Sequence, residues 1–140
     1  MKLQILKHEG QEKITGYESV VVEPNKIDLS NVTDNEAEQI LAADCVDMFS
    51  TQHIGALLRA LRSKLRLGGS LVVGGTSVDL FAKAVVNGLM TPEEAAGAVD
   101  MASSFSSPEM VSNTLTDLGL QIQNVITNGI HYEISCLRVQ

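Results

Sequence analysis

Three histidines, two cysteines and a scatter of carboxylates are the side chains of this 140-residue sequence that could do chemistry. His8, His53 and His131 lie far apart, and no two stand at a metal-ligand spacing, so no metal site is expected. Cys45 and Cys136 are equally distant and read as buried, reduced thiols. Cys45 has Asp44 and Asp47 beside it, and nearby carboxylates raise a thiol's pKa, which makes a poor nucleophile. No G-x-S-x-G elbow frames a serine. The pairs Gly68-Gly69 and Gly74-Gly75 look like phosphate cradles, but no Lys-Ser/Thr follows either. As turns that bound a buried strand they need no ligand.

Charge narrows the partners. Ten basic against seventeen acidic residues give a net charge of −7, which repels a phosphate backbone, so no nucleic acid is expected. Arg59, Arg62, Lys64 and Arg66 do cluster. They share no narrow stripe and no aromatics accompany them, so they read as a solvated helix end whose cations complement the C-terminal dipole. Hydrophobic residues make up 44% and charged residues 19%, an ordinary globular balance. The length suits one domain over residues 1–140. No signal peptide and no membrane-length apolar run is present, so a cytoplasmic protein without a membrane partner is expected.

The elements that must position these residues follow from periodicity and turn chemistry. Met1–Lys7 alternates apolar and polar residues, Glu18–Glu23 is a β-branched run, and Lys26–Leu29 is a short third strand. The polar stretch between the first two leaves no room for a full crossover helix. Thr33–Glu36 has the capping-box pattern and predicts a short helical turn. Gln39–Ala43 predicts a central strand, and Asp44–Phe49 the turn at its carboxyl end. Ser50–Leu67 is the clearest helix, with Ile54, Leu57, Leu58, Leu61 and Leu65 at helical spacing and Gly68-Gly69 as its stop. Ser70–Gly74 predicts a buried strand, Gly74-Gly75 a tight turn, and Thr76–Asn87 a helix with Leu80, Phe81, Ala84 and Val85 inward. Thr91-Pro92 and Ser107-Pro108 each start a further helix. Asn128-Gly129 joins Leu120–Thr127 to Ile130–Val139 in a hairpin.

Three stretches carry a resemblance: LRSKLRLGGSLVVGG (61–75), TDNEAEQILAADCVDMF (33–49) and FSSPEMVSNTLTDLGLQI (105–122), followed by ISCLRV (134–139). Together they resemble the short class I S-adenosylmethionine-dependent methyltransferases. The resemblance implies an α/β, Rossmann-like sheet, mostly parallel with a C-terminal antiparallel hairpin and fewer helices at the N-terminus. In that family the first strand ends in a glycine-x-glycine turn, where the backbone passes close to the cofactor. Here those positions hold Leu6 and His8, whose side chains are expected to project into the cofactor's place. Gly10 is the one glycine left, two residues on. Glu23 is the acid nearest the family's ribose contact, and Asp28 fits the acid that meets the adenine amine.

Gly10, Glu23, Asp28 and Asp44 are therefore the cofactor residues the resemblance implies, if the site is retained. Asp44 or Asp47 would face a substrate. Relatives often carry a glutamate-histidine pair after strand four; Asp47 and Met48 stand there, so no catalytic residue is expected. The family pattern with its glycine loop degraded implies no cofactor and a non-catalytic binding, scaffold or assembly protein. Such a protein acts as a homo-oligomer or beside a protein partner. Its similarity to small degenerate copies in tailed phages extends this, by analogy, to a virion role. The alternative is an active methyltransferase that binds S-adenosylmethionine. Gly88–Ser107, rich in small residues and methionine, reads either as a helix packed on the core or as a surface for another subunit.

Overall fold

The computed structural model describes residues 1–140. Four strands run parallel: β1 (Lys2–Leu6), β2 (Glu18–Val21), β3 (Ala37–Ala42) and the first to last residues of β4 (Leu65–Thr76). Helix α1 (Thr51–Lys64) crosses from β3 to β4. Helices α2 (Val78–Val86), α3 (Pro92–Met101) and α4 (Pro108–Asp117) follow, and then the hairpin of β5 (Leu120–Asn128) and β6 (His131–Arg138). The strand order is β2-β1-β3-β4-β6-β5, with β6 antiparallel to both its neighbours. This is the α/β sheet with a C-terminal antiparallel hairpin that the sequence predicts, and no helix precedes residue 46.

The core lies on one face of that sheet. Leu3, Ile5, Ile40, Ala42, Leu71, Val73, Ile134 and Cys136 turn toward Ile54, Leu57, Leu58 and Leu61 of α1 and Val111 and Leu115 of α4. Register puts Gln39, Leu41, Ser70, Val72, Glu133, Ser135 and Leu137 on the other face, all half-buried. The segment 7–17 folds back over part of this second face. Gln4 ties it down, donating from Nε2 to the Glu12 carbonyl (3.1 Å) and accepting from the Ile14 N–H (2.9 Å). No helix packs there. Parallel sheets are normally covered on both faces; this one is half stripped.

Several predicted boundaries move. Lys26–Leu29 is not a strand, because Lys26 closes a tight turn back onto Glu23 instead of joining the sheet. Thr33–Glu36 forms turns, not a helical turn, with Asn35 at φ 62°. Helix α1 ends at Lys64, three residues before Leu67, and β4 already runs through Gly68-Gly69, with Gly68 at φ 81° where the pairing with β3 shifts register. Gly74-Gly75 is not a turn but the interior of β4, where close backbone approach is the reason for glycine. A Cβ on Gly74 would overlap the carbonyl oxygens of Ala43 and Tyr132. On α2 only Ala84 is buried, and Val85 is exposed. Three of the four clustered cations are held internally: Arg62 donates to the carbonyls of Leu118 (2.6 Å) and Gln140 (2.7 Å), Lys64 pairs with Asp34, and Arg66 with Glu38.

Candidate functional site at the carboxyl edge of the sheet

In an open α/β sheet the ligand crevice lies beyond the strands' carboxyl ends, where the chain reverses its direction of winding. Here that point lies between β1 and β3, since β2 is added on one side of β1 and β3 on the other. Two side chains meet there. Lys7 leaves the end of β1 and Asp44 the loop after β3, and Lys7 Nζ stands 3.1 Å from Asp44 Oδ2. Both are part-exposed, at 33% and 43%, so the pair remains open to exchange for another partner. Beside them Gln4, Gln11, Ile14, Leu41, Val72 and Glu133 are among the residues that line a hollow of about 320 Å³.

A second hollow, of about 150 Å³, opens past the end of β2 and is lined by Val21, Glu23, Lys26 and Asp28. Glu23 and Asp28 are thus brought together by the turn that Lys26 closes. Lys26 Nζ reaches Glu23 at 3.9 Å. Asp28 accepts from the Ser30 N–H at 3.0 Å. The Ser30 hydroxyl and backbone hold its carboxyl below the usual carboxylate range, so it is an acceptor at neutral pH.

The four residues implied by resemblance are not one cluster. Glu23 and Asp28 share one hollow, Asp44 lines the other, and Gly10 sits exposed on the segment after β1. Leu6 and His8 do not project into either hollow. Leu6 is fully buried, its carbonyl bonded to the Val22 N–H, while His8 faces solvent. Alternation along β1 puts Leu6 on the second face with Gln4, where it is fully buried, and the next side chain at the strand end is Lys7. Lys7 is therefore the residue that the motif comparison misses, and a lone lysine placed one residue after a buried strand was its only signal.

The loop after β3 is used structurally. Asp47 is buried and accepts from the Thr76 N–H (2.7 Å) and the Thr76 hydroxyl (2.6 Å). Its backbone carbonyl also accepts from Ser103 N (2.7 Å). Burial raises its carboxyl above the usual range. Gly75 makes room for it, because a Cβ there would stand 2.7 Å from Asp47 Oδ1. Burial first, and Asp44 second, push the Cys45 thiol up to about 12, so the thiol is inert as expected; Cys136 is also buried and pushed up to about 12 by burial. Tyr132 shares a 2.5 Å hydrogen bond with Ser106. Exposed His131 lies beyond, its Nδ1 3.5 Å from Thr76 Oγ1. No group of side chains is arranged to hold a metal ion, and no helix is long and apolar enough to cross a membrane.

The fold as a whole matches solved structures. A methyltransferase from Mesorhizobium loti, dependent on S-adenosylmethionine, superposes with a TM-score of 0.65 at 12% identity, over 97% of this chain and 79% of that one. One from Archaeoglobus fulgidus gives 0.62 at 14%, over 96% and 84%. The chain has the class I methyltransferase fold. An O-methyltransferase family protein from Burkholderia thailandensis gives 0.60 at 13% identity, and there the chain covers 87% of itself but only 36% of the other protein. No family model matches the sequence, and no curated protein does. The expectation of no cofactor is overturned by this comparison: the Mesorhizobium and Archaeoglobus proteins that share the fold over nearly the whole chain are themselves dependent on S-adenosylmethionine. The physical premise also fails, since Leu6 and His8 leave the crevice free.

Proposed function

We propose that this chain binds S-adenosylmethionine along the carboxyl edge of β2, β1 and β3, and does so as a non-catalytic binding or scaffold protein. The observation that carries the reading is the pairing of chemistries along one edge. Glu23 and Asp28 offer carboxylate acceptors in one hollow, and Lys7 and Asp44 offer one charge of each sign in the other. The acceptors suit the hydroxyl and amine donors of an adenosine. The Lys7 ammonium suits a carboxylate and Asp44 an ammonium, the two charges of an aminoacyl group. Gly10 gives the segment after β1 the freedom to close toward the ligand. When bound, the cofactor supplies an electrophilic methyl group on a sulfonium.

The non-catalytic half of the reading rests on Asp47. Its carboxylate is consumed by Thr76 and sealed from solvent, so it is withheld from any substrate. An active methyltransferase is the second reading, and His131 favours it as an exposed imidazole beside the Thr76 hydroxyl, able to accept a proton.

Calorimetric titration with S-adenosylhomocysteine tests the binding. A micromolar Kd, about −8 kcal/mol, is expected, weakened by Asp28→Ala and by Lys7→Ala. Absence of heat, with no rise in melting temperature at saturating ligand, overturns the proposal. Methyl transfer from labelled cofactor into a fractionated extract, lost in His131→Ala, would replace the non-catalytic reading by the second one.

A further inference from the structure

We propose that Gln4 is a positioning residue for the crevice: its side-chain amide does the work of a missing crossover helix and holds the segment 7–17 as a wall of the larger hollow. β1 and β2 are parallel, so the chain must cross one face of the sheet between them, a crossing usually made by a helix. A helix satisfies its own backbone groups on the way. The segment 7–17 contains none, and from Glu12 to Gly16 the Ile14 N–H is the only backbone N–H with a partner in the chain. That partner is Gln4. Its Oε1 accepts from the Ile14 N–H at 2.9 Å, and its Nε2 donates to the Glu12 carbonyl at 3.1 Å. The amide meets the segment as a neighbouring strand would, with one donor and one acceptor side by side. Glutamine suits the task because it carries both on one planar, uncharged head.

Gln4 is a polar side chain in the middle of β1 and only 7% exposed, so its polarity needs a reason. Little else holds the segment. Ile14 is its one aliphatic β-branched anchor large enough to pack, and it is 43% exposed. The far end rests on Tyr17, whose hydroxyl donates to Gln39 and whose ring lies 5.7 Å from Lys2 Nζ. The near end turns on the Lys7 N–H, which donates to Gln11 Oε1 at 2.9 Å. Between these ends Gln4 is the tie to the sheet. Gln11 and Ile14 are what the segment contributes to the hollow of about 320 Å³, and they flank the two bonds to Gln4 in sequence. Holding Glu12 and Ile14 therefore fixes the wall beside Lys7 and Asp44. A wall already in place spares a ligand the cost of ordering it. The consequence for affinity rests on the cofactor reading above and concerns the aminoacyl end. On that reading the adenosine end lies in the other hollow, with Glu23 and Asp28.

Amide exchange and NMR relaxation on the full chain, free of ligand, test the holding. In the unmodified chain the Ile14 amide should exchange more slowly than those of Lys13 and Thr15, which covers the case in which a variant fails to fold. Gln4→Met keeps the length of the side chain and offers neither bond. Amides 8–17 should then become mobile on the nanosecond timescale while those of β1 and β3 stay rigid. Affinity for S-adenosylhomocysteine should fall about tenfold, and affinity for adenosine should not change. Gln4→Glu keeps the acceptor and sets a carboxylate against the Glu12 carbonyl. It should free the segment at neutral pH and restore it in acid, where the protonated carboxyl donates again. Lys7, Asp44 and Glu133 also face the hollow, so the unmodified chain at each pH is the reference. An Ile14 amide no better protected than its neighbours, a segment that stays rigid in Gln4→Met, no acid rescue of Gln4→Glu, or an equal loss for both ligands each overturns the proposal. If the unmodified chain binds neither ligand, the cofactor reading fails instead, and the exchange and mobility results decide the role of Gln4 by themselves.

Discussion

The two faces of the sheet are built from the same strands, yet they follow different rules. Leu71 and Val72 are neighbours on β4. Leu71 is fully buried under α1 and α4; Val72 looks out over a face that no helix covers. Across β3, β4 and β6 the covered face reads Ile40, Ala42, Leu71, Val73, Ile134 and Cys136. The bare face reads Gln39, Leu41, Ser70, Val72, Ser135 and Leu137, about half polar. Four parallel strands with an apolar second face would demand a partner layer. Glutamine and serine there let water serve instead. The missing helices are therefore matched by a resurfaced sheet, and the chain stands without them.

Substitutions on the two faces test that contrast. The largest effect is expected on the covered side. Leu71→Ala removes a fully buried side chain and should cost about 2–5 kcal/mol, read from urea unfolding midpoints. A smaller, pH-dependent effect belongs to Asp47, at the rim where the faces meet. Burial raises its folded-state pKa above 3.8, so the folded chain holds that proton more tightly than the unfolded one. Its contribution to stability is greatest below the ordinary carboxylate range and falls as pH rises through the raised value. Asp47→Asn keeps the bond from the Thr76 N–H to Oδ1, turns the second one round so that its amide nitrogen donates to the Thr76 hydroxyl, and should remove that fall. If wild type and variant keep parallel stability curves from acid to neutral pH, the carboxylate is not strained by burial. The smallest effect is expected one residue from Leu71: Val72→Thr should change stability by no more than about 0.5 kcal/mol. A cost like that of Leu71→Ala would mean that something covers the bare face in solution.

Much of this architecture was legible in the sequence. Helical spacing of Ile54, Leu57, Leu58 and Leu61 located α1, the Thr91-Pro92-Glu93-Glu94 capping box located α3, and Asn128-Gly129 located the hairpin. Each is a local signal read within one turn of chain. The failures came where tertiary contacts decide. Gly74 carries the composition of a turn but is glycine because two neighbouring strands press against it, which no window of sequence contains. Lys26–Leu29 has strand composition, yet the β2 edge ends before it can pair. At the candidate site Glu23 and Asp28 were named, and they share a hollow. The pairing of Asp44 with Lys7, in a hollow apart from Glu23 and Asp28, was not legible, because it depends on how the segment after β1 folds back onto Gln4. The same fold-back holds Lys7 at the crevice, its backbone N–H donating to Gln11 Oε1 at 2.9 Å.

The helical arm that carries α2 and α3 leaves the sheet at Ser77 and returns at Ser106, and these two residues bridge each other. Val78 N–H bonds to the Ser106 carbonyl and Ser106 N–H to the Thr76 carbonyl. Between them α3 buries nothing, and Val86, Leu89 and Met101 stand in the open. Exit and entry are thus stitched together, and Ser103 N–H (to the Asp47 carbonyl, 2.7 Å) and the Ser104 hydroxyl (to the Phe49 carbonyl, 2.6 Å) fasten the arm's last residues to the loop after β3. Mechanically the stretch through α3 is a cassette on a closed base: it can lengthen, shorten or be exchanged for another sequence without asking the core to rearrange. A lineage that altered it would change what the molecule presents to its surroundings while inheriting the sheet unchanged.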